Sequence, residues 1–208
     1  MSECGYVTLA RYGTSTYEEK RSVFIGEASP VTTEEEALAF LASVKAKYPD
    51  ARHHVYAYLL RENSKNRYSD DHEPQGTAGI PVLDVLRKGG LTDAVVVVTR
   101  YFGGTLLGAG GLVRAYTAAA AGAVREAGRL TFRTFRPVTV ALSYPDYNKL
   151  LPEISHRGIR VLDTAYAEGV ELSLTMPVED YDDFAEFVTE QTAGRAFLLP
   201  EDAVFDHD

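Results

Sequence analysis

Only one cysteine, Cys4, occurs in the 208 residues, so no disulfide can form within the chain. Long apolar runs are missing too. Stretches such as residues 94–98 are strand-sized and far short of the roughly 18 residues a membrane-spanning helix needs. Residues 1–5 show no basic region followed by an apolar stretch, so no secretory leader is expected there and a cytoplasmic location is the default expectation. Positive charge is scarce in one part of the chain. Residues 137–208 hold 4 Lys/Arg against 15 Asp/Glu, net −11, whereas residues 1–136 hold 17 against 15, net +2. That asymmetry predicts two units with different surfaces. Like charges repel, so any phosphate backbone should be met by the first half.

Several chemistries lack their residues. No Gly-x-Ser-x-Gly elbow is present. Gly103 and Gly108 have the spacing of a P-loop, but Ala109-Gly110 stands where that loop needs Lys-Ser/Thr. Gly108 and Gly110 begin a dinucleotide fingerprint, yet Val113 takes its third glycine. His53 and His54 are neighbours in an expected strand, so they point to opposite faces and cannot easily share a metal. No metal, no cofactor and no catalytic residue is assigned from sequence.

What is present reads as alternating strands and helices. Strands are expected at 5–11 and 22–28, then a helix capped by Thr32 with Leu38, Leu41, Val44 and Tyr48 at helical spacing, ended by Pro49. A strand at 51–60 leads into a polar connection, 61–75, long enough to suggest function or mobility. A short helix opened by residues 76–81 and running to about Lys88, a valine-rich strand at 91–101 buried on both faces, and an alanine-rich helix at 112–127 complete the first half. Residues 129–136 read as a linker. The second half follows in the order strand, helix, strand, strand, helix, strand, with Glu168-Gly169 as a hairpin turn; that order is ferredoxin-like. The expected fold class is therefore α+β, with domains at 1–133 and 137–208.

Two glycine segments stand out. Gly103, Gly104, Gly108, Gly110 and Gly111 lie between the valine strand and the following helix, and Gly76, Thr77 and Gly79 open the helix before it. Such segments can present backbone N–H groups and a helix dipole to an anion. The alternative is a chain that must turn tightly or pack closely. Arg100 and Tyr101 close the strand, and Arg114 and Tyr116 lie on the first turns of the helix, so they are candidates for phosphate and base contacts. A salt bridge for Arg114 and core packing for Tyr101 are the competing readings. Asp70, Asp71 and Glu73, around His72, form a candidate cation or polar cluster, with turn formation before Pro74 as the alternative.

These residues also carry a family resemblance. The runs Lys20-Arg21-Ser22-Val23-Phe24-Ile25 and Asp50-Ala51-Arg52-His53-His54, together with residues 68–81 and 97–116, resemble the IMPACT family in order and spacing. The second half is similar to the small C-terminal domain of its bacterial YigZ-like branch. The resemblance implies a ribosomal protein S5 domain 2-like first half and a ferredoxin-like second half similar to domains of elongation factor G. It further implies a role linked to translational control, as in eukaryotic members tied to a starvation-responsive kinase pathway. The expected partners are RNA, the ribosome or a translation-associated protein, with no membrane. A binding role is expected rather than catalysis, the alternatives being a metal-dependent protein acting on a nucleotide or phosphorylated small molecule and a protein-interaction module. His72 stands where the family commonly has glycine, and Ile80 where a basic residue is common.

Overall fold

The computed structural model describes residues 5–207; Cys4 lies outside them. Tyr6–Thr131 form one compact unit, and Gly5 with Phe132 onward form the other. Among the described residues no helix is long and apolar enough to cross a membrane.

The first unit runs β1 (Tyr6–Leu9), β2 (Gly13–Glu19), β3 (Ser22–Pro30), α1 (Glu34–Lys47), β4 (His53–Leu59), a 3-10 turn at Glu62–Ser64, β5 (Asn66–Ser69), α2 (Gly79–Lys88), β6 (Ala94–Tyr101) and α3 (Ala109–Ala127). Its sheet has the order β2-β3-β6-β4-β5, every neighbouring pair antiparallel. The four valines of β6 explain the layering. Strand residues alternate faces, so Val96 and Val98 join the core under α2 and α3, while Val95 and Val97 join the core under α1. This α+β unit is ribosomal protein S5 domain 2-like, a sheet with helices on both faces.

The helix α3 lies unusually close to the sheet because its inner face is small. Ala115, Ala119, Ala123 and Ala127 are fully buried. A Cβ on Gly26 of β3 would lie 2.3 Å from the carbonyl oxygen of Ala119, so only glycine lets the two backbones meet.

The second unit runs β7 (Arg129–Leu142), α4 (Tyr144–His156), β8 (Arg160–Tyr166), β9 (Val170–Pro177), α5 (Tyr181–Thr192), β10 (Phe197–Pro200) and β11 (Val204–His207). Antiparallel pairing gives β10 beside β7, β7 beside β9 and β9 beside β8. That is the ferredoxin-like arrangement of βαββαβ. Leu150, Ile154, Phe184 and Val188 of the two helices cover one face through Val138, Val140, Leu172 and Leu174.

Four expectations need correction. Residues 129–136 are not a linker but the first part of β7, and β11 pairs with them at Phe132 to Phe135. Strand β2 was not foreseen, because GTSTYEE carries little apolar signal. The long polar connection 61–75 contains a 3-10 turn and β5. Thr33, not Thr32, caps α1, in a capping box with Glu36, and Leu38 is exposed.

Candidate nucleic-acid interface

Glu73 organises the centre of the first unit. Its Oε1 accepts from Arg100 Nη1 at 2.6 Å and from the Tyr116 hydroxyl at 2.7 Å, and all three residues are buried. Burial pushes the Tyr116 hydroxyl far above its usual range, with the Glu73 charge acting in the same direction. Tyr116 is fully enclosed and stands edge-on to Phe24, with ring centroids 5.1 Å apart. The expected surface contacts from Arg100 and Tyr116 to phosphate are thus corrected. A buried carboxylate claims both of them, and the triad ties the 70–79 loop to β6 and α3.

The neighbouring carboxylates are likewise directed at the protein. Asp70 accepts from the N–H of Gly76 (2.9 Å), Ala78 (3.1 Å) and Gly79 (2.8 Å). Thr77 donates its hydroxyl to the Pro74 carbonyl at 2.7 Å. Asp70 therefore sits at the start of α2 as an internal anion, and Gly76, Thr77 and Gly79 do not offer the free N–H groups expected of them. Asp71 accepts from the His54 N–H at 2.6 Å. The carboxylates of Asp70, Asp71 and Glu73 each serve different partners, so they do not converge as a cation site; among the described residues no cluster of three potential metal ligands forms.

The second glycine segment behaves differently. Gly103 is pressed against the Arg21 backbone, where a Cβ would lie 2.1 Å from its carbonyl carbon, and its N–H donates to Ser22 Oγ at 3.0 Å. Gly111 is buried against Leu107. Gly104, Gly108 and Gly110 are exposed, the first two at φ +83° and +72°. Gly108 leads into α3 with no side-chain cap, and the first carbonyl it satisfies is its own, accepting from Leu112 N–H at 3.0 Å. The N–H groups ahead of Leu112 belong to a first turn that no intrahelical carbonyl can serve. Helices α1 and α4 carry Thr33 and Ser143 there, and α2 has Asp70.

One cation stands at this open turn and another at the loop that leads into it. Arg114 is exposed and, among the described residues, has no hydrogen-bond or ion-pair partner, so the salt bridge considered for it does not form; its Nη1 lies 3.7 Å from where a Gly110 Cβ would be. Arg21 brings Nη2 to 4.0 Å from the corresponding point at Gly104. Sequence reasoning missed Arg21 as a site residue. Lys20 and Arg21 form the two-residue turn between Glu19 and Ser22, both in the left-handed region at φ +47° and +67°. Such hairpin turns favour Asn-Gly, and two basic residues held there instead were the available signal.

Beside the loop, the start of β4 and the end of β6 form a recess of about 400 Å³. Asp50, Ala51, Arg52, His53, Arg100, Tyr101, Phe102 and Leu106 line it. Tyr101 donates its hydroxyl to Asp50 at 2.8 Å, a bond that raises its pKa.

A ribosomal protein S5 domain 2-like unit with an open helix start beside a cation, followed by a ferredoxin-like unit, defines a two-domain α+β protein with a candidate anion-binding face. The chain belongs to the IMPACT family: residues 20–124 match the Impact N-terminal domain, and residues 140–195 match a domain of unknown function, DUF1949. It is 35% identical to IMPACT family member YvyE of Bacillus subtilis, over 92% of this chain and 88% of that one. It is 34% identical to IMPACT family member YigZ of Escherichia coli, over 89% and 93%. Protein IMPACT of Bos taurus is 32% identical over 43% of this chain and 30% of its own length. A solved structure of a hypothetical protein superposes with a TM-score of 0.59 at 30% identity, covering 97% and 98% of the two chains.

Proposed function

We propose that this protein is a non-enzymatic binding protein linked to translation, which contacts RNA through the glycine-rich face of its first unit. The observation that carries the reading is the start of α3: exposed, without a side-chain cap, and beside the unpaired Arg114, with Arg21 over Gly104 in the loop that leads into it. Backbone N–H groups at a helix start together with guanidinium groups suit phosphate oxygens. The link to translation is what the family resemblance implies; the match to Protein IMPACT of Bos taurus adds kinship over 43% of this chain.

The test is binding of the full chain to single-stranded RNA across a salt series. Affinity should fall steeply with salt, and Arg114→Ala and Arg21→Ala should each weaken binding and flatten the log–log slope by about 0.7, the effect of one lost phosphate contact on a single strand. Arg125→Ala, at the far end of α3, should change neither. Absence of binding at low salt, or unchanged affinity in both arginine variants, would sink the proposal.

A further inference from the structure

We infer that the recess between β4 and β6 takes a single unstacked nucleobase, with Phe102 as its stacking platform. This deepens the RNA reading and rests on it only for the source of the base.

The first support is the rim. Phe102 is 56% exposed and Leu106 84% exposed, the most open large apolar side chains of the first unit. Apolar side chains left open together around a concavity mark a binding surface, and about 400 Å³ falls within the roughly 300–1,000 Å³ that small-molecule sites occupy.

Charge balance selects the kind of ligand. Arg100 is neutralised by Glu73, and the rest of the lining adds one cation, Arg52, and one carboxylate, Asp50. The recess therefore carries little net charge and favours a flat neutral ring with a polar edge over a bare phosphate. The phosphate chemistry lies next door, at Arg21, Arg114 and the start of α3.

Hydrogen-bonding capacity is left over to read such an edge. His53 Nδ1 lies 2.8 Å from the Asp71 carbonyl oxygen. A carbonyl only accepts, so Nδ1 carries the proton and Nε2 is free to accept from a base N–H. Arg52 is exposed and supplies donors. Arg100, 93% buried, gives Nη1 to Glu73 and so is not itself a reader of the edge. Its guanidinium carbon lies 5.4 Å from the Phe24 ring centre and 5.6 Å from that of Phe102, which holds the platform in place. A base drawn out of its stack and seated on an aromatic ring beside a guanidinium is how single strands are commonly read.

The experiment uses the full chain and two sources of base. Adenosine, which has a base and no phosphate, is titrated by NMR into wild type and Phe102→Ala. A single-stranded oligo-adenylate and an RNA duplex of equal length are then bound to both proteins at low salt. Shifts confined to residues 50–53 and 100–106 in wild type and lost in Phe102→Ala are expected with adenosine. Single-strand affinity should fall about tenfold in Phe102→Ala while any duplex affinity holds. Adenosine shifts with no RNA binding would keep the recess, assign it to a free nucleoside or nucleotide, and defeat the RNA reading alone. RNA binding that is equal in wild type and Phe102→Ala, with no adenosine shifts, would overturn the recess and leave the RNA reading standing. Silence of both ligands would overturn both. Because Phe102 is exposed, an unchanged melting temperature is expected and shows that the variant is folded.

Discussion

His72 occupies the left-handed region at φ +70°, directly after Asp71 at φ +42°. For a residue with a Cβ that conformation costs roughly 1–2 kcal/mol, and glycine avoids it while losing somewhat more freedom on folding. His72→Gly is therefore expected to stabilise the protein by about 0.5–1 kcal/mol, read as a higher midpoint in urea. Position 72 is thus one where the backbone favours glycine. His54 gives a second residue-scale expectation. Burial holds its pKa below the ordinary 6.5, only partly countered by Asp71. The folded protein keeps the ring neutral, while the unfolded chain takes up a proton as the pH falls through 6.5. Stability should be intact above that value and decline below it until the folded ring itself protonates. Urea midpoints at pH 7.5 and 5.5 measure this, and His54→Asn should narrow the difference between them.

Elements are held in place by two kinds of contact, one visible in the sequence and one not. Glu73 joins the loop before α2 to β6 and α3, and Glu73→Gln leaves Arg100 buried without its counter-charge. A loss of about 3–5 kcal/mol is expected in urea unfolding, the cost of removing one partner of a buried pair. Gly26→Ala should lower stability by about 1–3 kcal/mol or more through the clash with the Ala119 carbonyl. The helices and the valine strand were legible because their apolar spacing repeats locally: Val95 to Val98 reads as a strand buried on both faces without any tertiary knowledge. Strands β2, β5 and β11 were not, because their residues are polar or few and they exist by pairing with a neighbour rather than by pattern. The site divides in the same way. Sequence marks both glycine segments as helix starts, but which one is open depends on where Asp70 lands, six to nine residues from the N–H groups it satisfies. The assignment of Arg100 and Tyr116 to the surface failed for the same reason, since only folding brings Glu73 to them across 27 and 43 residues.

On the scale of the whole chain the outstanding property is the charge carried by the second unit. Residues 137–208 hold 15 of the 30 acidic side chains and only 4 of the 21 basic ones. Such a field acts on a polyanion within the screening length, about 30 Å at 0.01 M salt and about 8 Å at 0.15 M. The field should reduce RNA affinity at low salt without any contact between the acidic side chains and the ligand. Glu168, Glu186 and Glu190 are exposed and suit a test, since Glu190 lies in the last turn of α5, where the helix dipole disfavours an acid. Replacing all three by glutamine changes the net charge from −9 to −6. RNA affinity should rise several-fold at 0.01 M salt, chiefly through a faster association rate, and converge on wild type by about 0.5 M, where the screening length is only a few ångströms. A gain that persisted at high salt would mean that these carboxylates touch the ligand directly. No gain at low salt would mean that the second unit's charge plays no part in binding, and the affinity would then be set by Arg21, Arg114 and the start of α3 alone.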